Sequence, residues 1–217
     1  MPPDGCFLPA DADQVVISVN PKAGARSSRQ RVQRLVELLD AQGFKPRVLT
    51  DLDEVAIAAN KSYVEGRLRA LIGVGGDGTA AELVNRTQPG LPITLLPAGN
   101  ENLLARHLGL GREPETICRT VADGALLRLD AARADDRVFL LMIGCGFDGE
   151  VVRRVHQRRT GHIRSRNYFK PILEAIRSYE YPPLRVDWGD PSDDPTEAGP
   201  PIDARWLFAF NLPCYAG

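Results

Sequence analysis

Between residues 14 and 108 one pattern recurs: a short apolar run, a turn of glycine or polar residues, then a helical stretch. Residues 14–19, QVVISV, form a β-branched run of strand length that ends at Asn20-Pro21-Lys22-Ala23-Gly24, a turn signal. After it Val32, Leu35, Val36 and Leu39 fall at helical spacing, with Gly43 just past the end, which predicts a helix over 27–41. Runs at 45–50, 68–74 and 92–96 predict three more strands. Helices are predicted over 53–63, 79–85, 100–108 and 113–122. Strands separated by helices pair through crossovers, which set helices on both faces of a parallel sheet. The expected fold class is therefore α/β.

In such a sheet, ligands sit outside the carboxyl ends of the strands. The first strand ends at Asn20-Pro21-Lys22-Ala23-Gly24 and the second at Thr50. The third ends at Gly75-Gly76-Asp77-Gly78-Thr79 and the fourth at Pro97-Ala98-Gly99-Asn100. All four bring polar residues or glycine to one rim, a convergence that unrelated turns would not produce. At its centre, residues 73–85 read GVGGDGTAAELVN, with Asp77 set among residues that have no side chain. Glycine lets a ligand or another backbone approach closely. A strand that passes through such a turn into a helix holds phosphate on free backbone N–H groups. The Thr79 hydroxyl has two uses there, as a helix cap or as a donor to a phosphate oxygen.

After residue 124 the pattern changes. Residues 125–133 and 137–144 read as an antiparallel pair, 148–159 and 168–179 as helices, and 184–188 and 205–211 as strands. The stretch 189–203, GDPSDDPTEAGPPID, lacks apolar periodicity and reads as an exposed loop. Two domains are expected, 14–124 and 125–217.

Composition excludes several classes. Net charge is -1 over 217 residues, so nothing pulls the whole chain toward nucleic acid. The four cysteines form no C-x-x-C pair, which argues against a zinc ribbon or a disulfide framework and for a reducing cytoplasm. The start has no basic segment followed by an apolar one, so no signal peptide is expected, and no stretch reaches the length of a membrane span. His107, His156 and His162 lack ligand spacing, and no metal site is assigned. Glu82 lies one turn after Gly78, where a surface carboxylate is the plain expectation, and Trp188 and Trp206 are expected to pack the second lobe. Residues 151–170 carry Arg153, Arg154, Arg158, Arg159, Arg164, Arg166 and Lys170 with no acid. Such a run is either a solvated helix face or a patch that holds a protein at an anionic lipid surface. Few aromatics interleave with it, which argues against nucleic acid.

The GGDGT turn, preceded by Asn20-Pro21-Lys22-Ala23-Gly24 and followed by Leu96-Pro97-Ala98-Gly99-Asn100-Glu101-Asn102, resembles the diacylglycerol kinase catalytic domain family, which includes bacterial lipid kinases and sphingosine kinases. Gly144-Cys145-Gly146-Phe147-Asp148 is similar to that family's G-x-G-F-D segment. The GGDG core is shared with NAD kinases and phosphofructokinases; the four motifs in order are more specific. The resemblance implies a Rossmann-like nucleotide-binding lobe, a β-rich second lobe, and transfer of phosphate from ATP with Mg²⁺ to a lipid hydroxyl in phospholipid metabolism. It implies that Asn20, Pro21, Lys22, Ala23, Gly24 and Thr50 lie along the nucleotide with Gly75, Gly76, Asp77, Gly78, Thr79, Asn100 and Asn102. Asp77 would then orient Mg²⁺-ATP or accept the hydroxyl proton. A lipid acceptor implies a cytoplasmic protein, peripheral at the inner membrane face.

Two departures stand out. Asn100 replaces the threonine of the family's P-x-G-T-x-N motif, while Asn102 matches. Residues 211–217, NLPCYAG, are similar to the start of an N-x-x-x-x-G-G turn, after which family members continue with strands and an acidic segment. The expectation is a second lobe that is incomplete. An NAD kinase and a non-catalytic protein that binds nucleotide or lipid stay open as alternatives to a lipid kinase.

Overall fold

The computed structural model describes residues 6–20, 26–99, 101–158, 166–187 and 200–213. The chain divides into two compact units. One runs through Leu141 and resumes at Asn211; the other is Met142–Phe210.

In the first unit, β1 (Cys6–Phe7) is a two-residue strand. The main sheet holds β2 (Gln14–Val19), β3 (Lys45–Leu49), β4 (Leu68–Gly75) and β5 (Ile93–Pro97), all parallel in the order β3-β2-β4-β5. Helices α1 (Arg26–Ala41) and α5 (Pro114–Asp123) cover one face. Val32, Leu35 and Leu39 of α1 and Ile117 and Val121 of α5 pack there on Val15, Ile17, Ile72 and Val74. Helices α2 (Leu52–Val64) and α3 (Asp77–Arg86) cover the other, where Val55, Ala59 and Leu83 meet Val16 and Leu71. Successive residues of β2 and β4 thus face opposite layers. Both layers are apolar, so these strands read as near-continuous apolar runs rather than alternating ones. Each fully buried Leu or Ile in these layers contributes about 1.5–3 kcal/mol.

Two polar residues shape the unit away from the functional rim. Arg69, in the buried strand β4, donates to the carbonyls of Val121, Ala122 and Pro9 and lies over the Phe44 ring. Its charge is thus spent on backbone acceptors and an aromatic face. At the amino ends of the strands, Asp13 pairs with Lys45 at 2.6 Å and Arg67 at 2.5 Å, and these hydrogen bonds hold its carboxyl down at about 2.

Helix α2 is capped by Asp51, whose side chain accepts the N–H groups of Asp53 and Glu54. Helix α5 follows Glu113 with Pro114 in its first turn and ends at Gly124, left-handed at φ 65°. Between β5 and α5 lies the short α4 (Leu103–His107).

The expected pair over 125–133 and 137–144 resolves into four short strands. β6 (Ala125–Leu126) pairs with β1, and β7 (Ala132–Ala134) pairs with β8 (Arg137–Phe139). β9 (Met142–Gly146) pairs instead with β12 (Trp206–Phe210). The β7–β8 hairpin belongs with the first unit. The Asn85 side chain of α3 donates to Val138 O and accepts Val138 N, both at 2.8 Å, and Arg137 pairs with Glu82. Leu129, Leu140 and Leu141 pack on Ala80, Leu95 and Leu104. The boundary expected at 124/125 therefore falls at 141/142, because the intervening residues are hydrogen-bonded and packed onto α3 and its neighbours. Asn211 returns to the same unit, donating to the carbonyls of Asp130 and Leu140.

The second unit holds β9, β12, α6 (Phe147–Gln157), α7 (Arg166–Ser178) and the antiparallel pair β10 (Leu184–Val186) and β11 (Ile202–Ala204). Phe147, Val151 and Ala175 form its buried centre. The Phe147 ring stacks on Tyr181 at 5.6 Å and meets Trp206 edge-on at 5.1 Å. The G-x-G-F-D segment has a steric basis here. A side chain on Gly144 would collide with the Asp148 carboxylate, and Gly146 adopts φ 90° against the Arg205 carbonyl. Burial pushes the Asp148 carboxyl up. Trp188 and most of the expected loop at 189–203 lie outside the described residues; β11 begins within its last two residues.

Candidate active site

The strand order creates a switch point. The chain leaves β2 through α1 toward β3, then crosses back through α2 to β4 on the other side of β2. The crevice between the carboxyl ends of β2 and β4 is where doubly wound sheets take ligands. Val19 pairs with Val74 there, which sets Asn20 beside the turn that begins at Gly75. Pro97 pairs with Gly75 from the other side, and the Ala98 N–H donates to the Gly75 carbonyl at 2.9 Å.

At this rim two turns meet backbone to backbone. A Cβ added to Gly99 would lie 2.9 Å from the Gly76 Cα and 2.8 Å from Asn102 Oδ1. One added to Gly76 would lie 3.3 Å from the Gly99 Cα. A side chain at Gly99 would force the two turns apart, and one at Gly76 would press tightly on the facing backbone. A Cβ on Gly75 would collide with the Thr79 side chain, which folds back over the end of β4. Gly78 differs from all three: a Cβ there would meet nothing within 4 Å. Its glycine is not demanded by packing and leaves open space over the first turn of α3.

Helix α3 starts at Asp77 with Gly76 as its N-cap, and no side chain caps it. Thr79 therefore sits inside the first turn, and the cap expected of it is taken by Gly76. The first-turn N–H groups and the positive end of the helix dipole face the rim, a ready site for an anion. The Asp77 carboxylate points at the next helix. Its two oxygens accept the N–H groups of Leu103 and Leu104 at 3.0 and 2.9 Å, capping α4. Asn102 is buried and left-handed at φ 49°. Its amide accepts from Gly99 N–H at 3.0 Å and donates to Gly99 O at 2.7 Å, which fixes the turn after β5.

The structure thus gathers Gly75, Gly76, Asp77, Gly78, Thr79 and Asn102 at one place, with Asn20 beside them. Thr50 is exposed after the edge strand β3, two strand spacings or about 10 Å from β4. Pro21, Lys22, Ala23, Gly24 and Asn100 lie outside the described residues. Helix α4 begins at Leu103, three residues later than expected, because the Asn102 side chain turns back to Gly99. Glu82 pairs with Arg137 and Arg86, as a surface carboxylate would, and these hydrogen bonds lower its pKa. One contributor was missed. Arg31 of α1 donates to the carbonyls of Pro97 and Arg112, at 3.0 and 3.3 Å, and braces the turn after β5 from behind. No motif marks it, since an arginine on a helix is common. Of the expected basic run, Arg153 and Arg154 bond Glu150, and Arg158 pairs with Glu174. Arg159 and Arg164 lie outside the described residues, and Arg166 opens α7.

The site lies at the carboxyl ends of a doubly wound parallel α/β sheet, where two glycine turns meet beside the switch point. Residues 14–134 match the diacylglycerol kinase catalytic domain, and the chain belongs to that family. It is 24% identical over 179 residues to a diacylglycerol kinase of Bacillus subtilis, covering 79% of this chain and 58% of that one. It is 27% identical over 177 residues to human diacylglycerol kinase zeta, covering 67% of this chain and 18% of that one. A crystal structure of a diacylglycerol kinase from Bacillus anthracis str. Sterne shares the fold, with a TM-score of 0.60 at 19% identity over 91% of this chain and 65% of that one. The chain therefore spans less than two thirds of the length of these relatives. No helix among the described residues is long and apolar enough to cross a membrane.

Proposed function

We propose that the protein is an ATP-dependent lipid kinase that moves the γ-phosphate to a hydroxyl of a diacylglycerol-like or sphingoid-like lipid. The observation that carries the reading is the backbone-lined rim at the switch point, with Gly76 pressed on Gly99 and open space over Gly78. It occurs in a chain of the diacylglycerol kinase catalytic domain family.

Bound ATP would supply the activated phosphoryl group. Phosphoryl transfer asks the protein chiefly for positioning and charge stabilisation. The first-turn N–H groups of α3 offer both to phosphate oxygens, and the space over Gly78 admits them at close range. Asp77 holds α4 in place and keeps acceptor capacity, since a carboxylate has about four lone-pair sites. Those sites would orient Mg²⁺-ATP or take the proton of the attacking hydroxyl. Asn102 and Arg31 hold the facing turn, so the cradle is formed before ligand arrives. Among the described residues no cluster of three His, Cys, Asp or Glu side chains gathers. Mg²⁺ is commonly bound through one or two carboxylates and substrate phosphates. It would reach this site on the nucleotide, with Asp77 a carboxylate available to it.

The test is transfer from γ-labelled ATP with Mg²⁺, offered diacylglycerol, a sphingoid base, phosphatidylglycerol and NAD in parallel. Label in a lipid supports the reading and identifies the acceptor. Label in NAD alone makes the protein an NAD kinase. ATP binding with no transfer to any acceptor makes it a non-catalytic binder.

A further inference from the structure

Two arginines of helix α1 reach across to other segments, and they reach different groups. Arg34 is exposed and pairs with the Glu115 carboxylate at 2.9 Å, an ordinary surface ion pair. Arg31 is half-buried, and its Nη1 donates to two main-chain carbonyls, that of Pro97 at 3.0 Å and that of Arg112 at 3.3 Å. Pro97 is the last residue of β5, and Arg112 lies in the connection between α4 and α5. These acceptors stand 66 and 81 residues further along the chain. In the sheet, β4 separates β2 from β5, so no strand pairing joins the end of β2 to the end of β5. Arg31 supplies that link from the helix that follows β2. It lies five residues past Arg26, about 7.5 Å along the axis from the start of α1.

What the link holds is one wall of the phosphate cradle. Gly99 presses on Gly76 backbone to backbone, while the N–H and C=O of Gly99 are both bonded to Asn102. The press itself is therefore packing, and it lasts only while the turn is held in place. The Ala98 N–H holds the turn through the Gly75 carbonyl, and Arg31 holds it one residue earlier through Pro97. The bond to Arg112 is exposed and the bond to Pro97 is half-buried, so water can replace the guanidinium at both carbonyls. Water satisfies the carbonyls but ties neither of them to α1. Without Arg31 the unit keeps its stability, and the turn loses its fixed place.

We propose that Arg31 is a positioning residue for the nucleotide: by tying α1 to the turn after β5 it keeps that turn against Gly76, and so sets the affinity for Mg²⁺-ATP through Pro97 rather than by touching the ligand. The inference rests on the nucleotide-binding half of the function proposed above and needs no phosphotransfer. A site that is in place for only a fraction of the time binds more weakly by that fraction. Linkage runs both ways, so bound nucleotide steadies the same turn that Arg31 steadies in its absence.

The experiment is calorimetric titration of Mg²⁺-ATP into the wild type, Arg31→Met and Arg31→Lys, with melting curves and amide hydrogen exchange of the free and ATP-saturated proteins. Arg31→Met keeps a long side chain and removes its donors. It should bind ATP about tenfold more weakly while melting within about 2 °C of the wild type. Arg31→Lys restores an N–H donor on a long stem and should return to within about threefold of the wild type. The deficit of Arg31→Met should persist in about 0.5 M salt, where the loss of a charge acting at a distance is screened. Without ATP, peptides over residues 97–113 should exchange faster in Arg31→Met, and saturation with ATP should remove the difference. Equal affinity in the wild type and Arg31→Met overturns the inference alone. So does a deficit that salt abolishes, that lysine does not relieve, or that falls in step with the melting temperature. A wild type that binds no ATP overturns the nucleotide reading and this inference with it, whereas ATP binding without transfer to any acceptor leaves the inference standing.

Discussion

Gly76 and Gly99 lie so close that a Cβ on either would press on the backbone of the other, at 3.3 and 2.9 Å. This contact joins the turn after β4 to the turn after β5 and makes one surface of two motifs. It also sorts the glycines by what they are for. Gly99→Ala must push the two turns apart, so it should destabilise the first unit by about 1–3 kcal/mol and weaken nucleotide binding together. Denaturant unfolding and ATP titration of the same sample check this. Loss of binding at unchanged stability would show that the contact is not structural.

Asp77 has two duties that a single substitution mixes. In Asp77→Asn the amide's N–H₂ would face one of the two N–H groups that the carboxylate now accepts. The capping loss should cost about 0.5–2 kcal/mol. Turnover should fall by about a hundredfold or more, well beyond what that instability explains. Melting curves and kcat measured below the melting range separate the two effects. A fall in kcat that tracks the folded fraction would reduce Asp77 to a helix cap.

Asn102 is buried, and both polar atoms of its amide bond the Gly99 peptide. Asn102→Ala leaves that peptide's N–H and C=O without their partner and places alanine in a left-handed backbone. It should cost about 1–3 kcal/mol. Asn102→Gly relieves the backbone but not the lost bonds, so it should recover part of the stability and none of the nucleotide affinity. Urea midpoints and ATP dissociation constants of both variants test the pair.

Acid should reveal Asp13 and Glu150. Hydrogen bonds from Lys45 and Arg67 hold Asp13 at about 2. Those from Arg153 and Arg154 hold Glu150 at about 2. Both are carboxyls whose folded value is depressed. Their contribution is fully present above the unfolded carboxylate range and is lost as pH falls from about 4 toward 2. Melting temperature should drop through that window. Asp13→Asn should flatten its share of the drop and leave the melting temperature at pH 2 close to wild type. An unchanged slope in the variant would mean the triad with Lys45 and Arg67 does not persist in solution.

The parallel sheet was legible because its central strands β2 and β4 are covered on both faces, which writes them as near-continuous apolar runs closed by turns. The rim was legible for the same reason, as four run-ends share one edge. The roles at that rim were not. Sequence shows Thr79 three residues after Gly76 but not that Gly76 takes the cap, since an N-cap is set by backbone geometry. It shows Asn102 as a motif residue but not that its amide folds back on Gly99. The division at 141/142 is not legible in sequence because the strands β7 and β8 look like the start of a new sheet. They pair with each other and are held to helix α3 by the Asn85 side chain and the Arg137–Glu82 ion pair. The basic run holds no acid of its own, but its counter-charges, Glu150 and Glu174, lie just outside it in sequence and meet it in the fold.

The cradle at the switch point is tested most directly at Gly78, where packing makes no demand. Alanine there meets nothing within 4 Å and favours a helix over glycine, by about 0.8–1 kcal/mol at an interior position. Calorimetric titration of Mg²⁺-ATP into the wild type and Gly78→Ala, with melting curves of both, is the measurement. Binding of one ATP by the wild type is expected, with affinity at least about tenfold weaker in a variant that melts no lower. Equal affinity in the two proteins, or no ATP binding by the wild type, would contradict the assignment.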